Sequence, residues 1–263
     1  MSYAGLVSVI IPTKNSERTI GQCLQSILNQ NYSNVEVLVI DAYSTDKTKE
    51  ISSGLGANVI SLEGERTYAK NYGTDVCKGE FVFFIDSDMI LKPSVIHECI
   101  DKCKNYQGVI IPEHSVGSSL WVKIRDFERS LYSGSKIESA RFFVRKYVQE
   151  VDGFDTDIVA YEESTLPQKL EMKGYRVNGR ISAYIMHDEN RFSIWKWLRK
   201  KRYYNETSNV YYSRYEEYAR LQFSQSYRLR VFFSNGKWKT LIRHPMLSIG
   251  LFTLKTLELI SSR

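Results

Sequence analysis

The first half of the chain alternates short apolar runs with segments whose apolar residues recur at helical spacing. "VSVIIP", ending at Pro12, is continuous and β-branched, as a strand buried on both faces should be. Ile20, Cys23, Leu24, Ile27 and Leu28 then fall on one helical face, which predicts an amphipathic helix capped by Asn15 or Ser16. "VEVLVI" predicts a second buried strand ending at Asp41, "NVISL" a third, and "EFVFFI" a fourth that stops at Asp86. Helices are predicted between them in "STDKTKEI", with Ser44 or Asp46 as cap, and in "RTYAKNYGTDVC". Strands alternating with helices predict an α/β fold built on a mainly parallel sheet with helices on its faces.

Beyond Ser94 the pattern loosens. It predicts a helix from Val95 to Cys103, a strand in "GVIIPE", a polar helix from Trp121 to Tyr132 and a strand in "SARFFVRK". A turn at "VDGFD" precedes a helix that opens with Glu162 and Glu163 and ends at Gly174, and late strands run to "YIMHD". Composition shifts near Arg191, so two domains are expected, 1–190 and 191–263.

In open sheets of this kind ligands bind beyond the carboxyl ends of the strands. Thr13 to Asn15, Asp41, and the pair Asp86 and Asp88 all stand at such ends, so three polar clusters are expected on one rim. Asp-Ser-Asp after five buried positions either caps a turn or holds a hard divalent cation whose shell phosphate oxygens complete. No G-x-G-x-x-G follows the first strand and no P-loop is present, which argues against dinucleotide and P-loop chemistry.

In order along the chain, three stretches resemble family 2 glycosyltransferases. They are "VSVIIPTKNSERTIGQCLQSILNQNYSNVEVLVIDAYSTDKT", "RTYAKNYGTDVCKGEFVFFIDSDMILKP" and "VDGFDTDIVAYEESTLPQKLEMKGYRV", together covering about residues 6–180. The resemblance implies a GT-A fold and inverting transfer from a nucleotide-sugar, a UDP- or GDP-sugar, to a hydroxyl acceptor. It implies that Pro12, Thr13, Asn15 and Asp41 line the nucleoside pocket, with Lys70 near the diphosphate where the family often has Arg. Asp86 would face the ribose and the metal, and Asp88 would ligate Mg²⁺ or Mn²⁺ directly. Glu163 stands at the family's usual catalytic Asp, with Glu162 as second choice, and His187 falls where the family sometimes has a His near the metal or diphosphate. The chain departs from the family at Ala42 after Asp41, at Lys14 in place of a common aromatic, and at Glu163, which lengthens the base by one methylene.

Charge separates the two ends. The net charge is +6, yet the chain from Arg191 onward holds fifteen Lys and Arg against four acidic residues. That region also carries Trp195, Trp197 and Trp238, three of the four tryptophans. A basic, aromatic-rich helical C-terminal extension suits nucleic acid or an anionic membrane surface. No nucleic-acid motif accompanies it, so nucleic acid is not expected as a partner. The favoured expectation is peripheral attachment to the cytoplasmic face of a membrane, with a glycan or polyprenyl-linked acceptor. The competing one is that these helices cover the sheet and pack a homodimer. The N-terminal segment does not read as a signal peptide, and the apolar segment 246–260 is too short to span and is interrupted by Lys255 and Glu258. Four sparse cysteines complete no zinc site and read as reduced thiols. The alternative function is a non-catalytic sugar-nucleotide- or nucleic-acid-binding module with the basic tail as its working surface.

Overall fold

The computed structural model describes residues 5–261. It begins β1 (Val7–Thr13), α1 (Ile20–Leu28), β2 (Val35–Asp41), α2 (Thr48–Gly54), β3 (Asn58–Ser61), α3 (Arg66–Val76) and β4 (Phe81–Phe84). Next come β5 (Met89–Leu91), α4 (Val95–Lys102), β6 (Gly108–Ile110), β7 (Glu113–Val116), α5 (Leu120–Tyr132), β8 (Phe142–Val144) and α6 (Arg145–Glu150). After α7 (Glu162–Met172), β9 (Gly179–Arg180) and β10 (Ile185–Asp188), the remaining elements are helical. They are α8 (Ile194–Glu206), α9 (Asn209–Arg214), α10 (Glu216–Phe223), α11 (Gln225–Phe233), α12 (Trp238–Arg243) and α13 (Pro245–Ser261).

These elements form two units. The sheet unit contains the described part of Met1–Glu113 with Ser139–Thr156 and Glu162–His187. The helical unit contains His114–Glu138, Asp157–Tyr161 and the described part of Asp188–Arg263. One junction between them falls between His187 and Asp188. The helical unit also takes in α5, because Ile124, Phe127 and Leu131 on its apolar face pack with Leu251 and Leu254 of α13. Composition alone does not carry that pairing.

The sheet unit is built on seven strands in the order β3-β2-β1-β4-β8-β6-β9. β3, β2, β1 and β4 are parallel, whereas β8 runs antiparallel to both β4 and β6. Alternation along the strands divides the core: Val7, Val9 and Ile11 enter one apolar cluster with α1 and α4, and Ile10 enters the other with α3, α6 and α7. Phe81, Phe83 and Ile85 likewise oppose Val82 and Phe84. Burial on both faces explains why these strands read as unbroken apolar runs.

Several local expectations are corrected. Neither Asn15 nor Ser16 caps α1; Thr19 takes that place without a side-chain bond, and Asn15 adopts a left-handed φ of 49°. α2 starts at Thr48 after Lys47, although Asp46 still accepts from the Thr48 N–H at 3.0 Å. β5 and α6 were not expected: three residues are too few to show a period, and "RKYVQE" is too polar to show a face. Among the described residues no helix is long and apolar enough to cross a membrane.

Candidate active site

Register places the first polar cluster. β1 pairs with β2 so that Thr13 faces Asp41, and with β4 so that Ile10 faces Phe84. The chain leaving β4 therefore reaches Asp86 and Asp88 at the carboxyl edge where Thr13 ends, and the Ser87 hydroxyl donates to Ser16 Oγ at 2.9 Å. Asp41 is fully buried and accepts from the Ser44 N–H at 2.9 Å and from the Ser44 hydroxyl. Ser44 Oγ in turn accepts from the Asn15 N–H at 2.8 Å, and Asn15 Oδ1 accepts from Thr45 N–H at 2.9 Å. Asp41 and Asn15 thus tie the β1–α1 loop to the β2–α2 loop. Pro12 is buried in the strand, and Thr13 Oγ1 is buried with no hydrogen-bond partner among the described residues. An unsatisfied buried hydroxyl at a strand end needs an explanation, and a ligand polar group is one.

The acidic turn meets β10 from its other side. β10 pairs antiparallel with β5, His187 opposite Met89, and His187 Nε2 lies 3.2 Å from Asp88 Oδ1. That oxygen is buried and accepts no hydrogen bond from the described residues. His187 Nδ1 stands 3.9 Å from Glu113 Oε2, and Glu113 Oε1 accepts from Arg141 Nε at 2.5 Å. Arg141 extends on to Asp86 Oδ2 at 3.7 Å and Glu163 Oε2 at 3.8 Å. Its backbone is pinned between neighbours, donating to Val109 O at 3.0 Å and accepting from Phe84 N–H at 2.9 Å, which sets the guanidinium beside the end of β4.

Charge balance follows from this packing. Burial opposes ionisation of Asp86, yet Arg141, Lys70 and Arg66 outweigh it and hold the carboxyl well below the usual range. Burial also opposes the Arg141 charge, and Glu113 and Asp86 more than restore it. On α3, Arg66 and Lys70 lie one turn apart. Lys70 is buried with its Nζ 5.1 Å from the Phe154 ring centroid, and burial lowers its pKa against the pull of Asp86, Glu162 and Glu163.

A turn sets the two glutamates. Asn71 clamps Phe154, accepting its N–H and donating to its carbonyl at 2.8 Å each, and Asp155 N–H donates to Thr165 Oγ1 at 3.2 Å in the first turn of α7. The adjacent positions Glu162 and Glu163 then point differently. Glu162 is buried, paired to Arg66 Nη2 at 3.0 Å, and burial raises its pKa. Glu163 is 57% exposed on the rim.

Asp86, Asp88, His187, Lys70, Glu162 and Glu163 are therefore gathered at one strand edge, as are Thr13, Asn15 and Asp41. Sequence reasoning missed Arg141, Glu113 and Arg66. A charged residue at each end of a buried strand, "PE" and "ARFF", was the available signal for the first two. Among the described residues no three acidic, His or Cys groups form a cluster that could hold a metal. Asp86 and Asp88 by themselves could offer carboxylate oxygens to a hard cation, since Mg²⁺-type ions take few protein ligands and leave positions for phosphate, while His187 stands against Asp88 Oδ1.

The sequence model described as "Glycosyl transferase family 2" matches residues 8–157. The chain belongs to glycosyl transferase family 2. Its mixed, mainly parallel sheet flanked by helices is the GT-A type of fold. "Glycosyltransferase GlyA" of Streptococcus pneumoniae serotype 4 is 32% identical over 228 residues, 73% of this chain and 32% of that protein. The "GalNAc(5)-diNAcBac-PP-undecaprenol beta-1,3-glucosyltransferase" of Campylobacter jejuni is 25% identical over 215 residues, 77% of this chain and 66% of that protein. The chain spans about a third of the length of several curated relatives that it matches, GlyA included. Among solved structures, the mannosyltransferase PcManGT from Pyrobaculum calidifontis, in complex with GDP-Man and Mn²⁺, superposes with a TM-score of 0.66. That match has 19% identity and covers 99% of this chain and 86% of that one, a likeness of fold.

Proposed function

We propose that this family 2 chain transfers a sugar from a nucleoside-diphosphate sugar to an acceptor hydroxyl, with inversion and with Mg²⁺ or Mn²⁺. The observation that carries the reading is the gathering of Asp86, Asp88, His187, Lys70 and Arg141 beside an open carboxylate, Glu163. Asp88 and Asp86 would hold the cation, with His187 beside Asp88 at the same edge, and the cation when bound would offset the charge growing on the leaving diphosphate. Lys70 and Arg141 add fixed positive charge at the same edge, where burial makes it more effective than in water. Thr13 Oγ1 serves the nucleoside end, shaped by Pro12 and by the Asp41–Ser44–Asn15 ties. Glu163 takes the proton from the acceptor hydroxyl as that oxygen attacks the face of the sugar opposite the diphosphate. Glu162 is not the base in this reading, since it is buried and paired with Arg66.

The donor class matches what PcManGT is described as binding, GDP-Man with Mn²⁺. The name of the Campylobacter relative points to a polyprenyl-diphosphate-linked glycan as acceptor, reached here from the cytoplasmic face of a membrane. The test screens UDP- and GDP-sugars for metal-dependent release of the nucleoside diphosphate, with Asp88→Ala as control. Turnover should fall by about 10²-fold or more in the variant, with the circular dichroism unchanged. Metal-dependent donor binding that survives Asp88→Ala removes that residue from the site. A wild-type chain that binds donor but neither transfers nor hydrolyses it is a binding module.

A further inference from the structure

The helical unit holds a cavity whose lining the sugar-transfer reading does not use. It measures about 90 Å³, and Tyr161, Lys201, Tyr204, Phe223, Arg228 and Lys255 are among its walls. Its three cations are unequally matched. Lys255 is committed to Glu128 and to Glu258, whose Oε2 lies 2.9 Å from Nζ, while Glu258 Oε1 accepts from Trp197 Nε1 at 2.7 Å. Arg228 donates Nε and Nη2 to the Gln222 carbonyl at 3.0 and 2.8 Å, and Nη1 to the Tyr132 hydroxyl at 3.0 Å. A guanidinium has five N–H groups, so two remain uncommitted.

Lys201 makes no ion pair among the described residues, and its Nζ rests 4.6 Å from the Trp197 ring centroid. Burial, with Lys255 and Arg228 alongside, pushes its pKa down to about 8 although Glu258 pulls the other way. Three cations against Glu128 and Glu258 leave one positive charge in excess. Gln225, the first residue of α11, also lines the cavity, so the positive end of that helix adds to the surplus. Buried charge is costly unless matched, and N–H donors aimed from separate helices are matched by an oxyanion. Lys201, Arg228 and Lys255 stand on α8, α11 and α13, an arrangement that suits tetrahedral phosphate oxygens better than a planar carboxylate. On the aromatic side, Tyr161 holds a left-handed φ of 62°, stacks on Tyr211 with centroids 5.4 Å apart and meets Phe223 edge-on at 4.8 Å. A non-glycine residue in that conformation is strained, and such strain gathers at ligand sites.

We propose that this cavity binds a phosphate or diphosphate group, held by Lys201 and Arg228, with Tyr161, Tyr204 and Phe223 flanking the organic part of the ester. The proposal stands independently of the strand-edge site. It is tested on the full chain carrying Asp88→Ala, in buffer with EDTA, so that the strand-edge site does not report. Inorganic phosphate and inorganic diphosphate are titrated by calorimetry, and neutral vesicles with and without a polyprenyl phosphate are tested for co-sedimentation. Diphosphate should bind, Lys201→Met should weaken it by about tenfold or more, and Lys201→Arg should restore it, which separates loss of the site from loss of the fold. Co-sedimentation that needs the polyprenyl phosphate and is displaced by diphosphate identifies a lipid headgroup; binding in solution alone identifies a soluble phosphate ester. Equal affinity with and without Lys201→Met, or no binding of any probe, overturns the proposal.

Discussion

Glu162 and Glu163 are neighbours with opposite surroundings, and this sets what each substitution should do. Glu163 is on the open rim with Arg141 Nη2 3.8 Å away, so Glu163→Gln should cost about 10²–10⁴-fold in kcat with little change in donor KM. Glu162→Gln removes the buried partner of Arg66 and should act first on stability, lowering the melting temperature while leaving measurable turnover. Steady-state kinetics and thermal melts on the two variants decide it; a stable, inactive Glu162→Gln beside an active Glu163→Gln reverses the assignment. Asp86 and Asp88 were legible in the sequence because two charges ending a fully apolar run have few places to go. Arg141 and Glu113 were not, because their importance comes from a bond at 2.5 Å between residues 28 positions apart.

Element packing controls how firmly that edge is held. α3 carries Arg66 and Lys70 and lies on β1 at Gly73, where an added Cβ would come within 2.6 Å of Ile10 Cγ2. Gly73→Val should therefore push the helix off the sheet and destabilise the chain by about 1–3 kcal/mol. At about 2–4 °C per kcal/mol, the melting temperature should fall by several degrees, and donor binding should weaken as Lys70 moves. Gly54 on α2 is the control, since a Cβ there meets nothing within 4 Å. If Gly73→Val melts with the wild type, close contact at this point does not hold α3. The central strands and α1 followed from periodicity and α7 from its acidic opening and closing glycine, whereas β5 and α6 are set by their neighbours, β5 by pairing with β10 and α6 by packing Val148 into the second core cluster.

For the molecule as a whole, the C-terminal helices change the meaning of their charges. Lys255 and Glu258, which interrupt the apolar segment 246–260 in sequence, turn inward toward Glu128 and Trp197. The exposed residues of α13 are Pro245, Met246, Ile249, Phe252, Thr253, Thr256, Leu259 and Ile260, with no charge among them. Trp195 on α8 is 76% exposed beside the exposed Lys196 and Arg199, while Trp197 packs against Arg125 at 3.8 Å. We expect the chain to float with anionic vesicles at low salt, less so at high salt, and Ile249→Glu to abolish it. No flotation at low salt ends that reading, and a doubled mass by light scattering that Ile249→Glu halves assigns the face to a second copy instead. By itself the sequence determined the parallel sheet, its two buried faces and the placing of Asp41, Asp86 and Asp88 at strand ends. Those follow from local periodicity, which each segment carries alone. Only tertiary structure decided that Arg141 and Glu113 join them, that Glu162 is buried while Glu163 is open, and that the charges of α13 are internal. Each depends on which segments meet, and a residue's partner across space leaves no period in the chain.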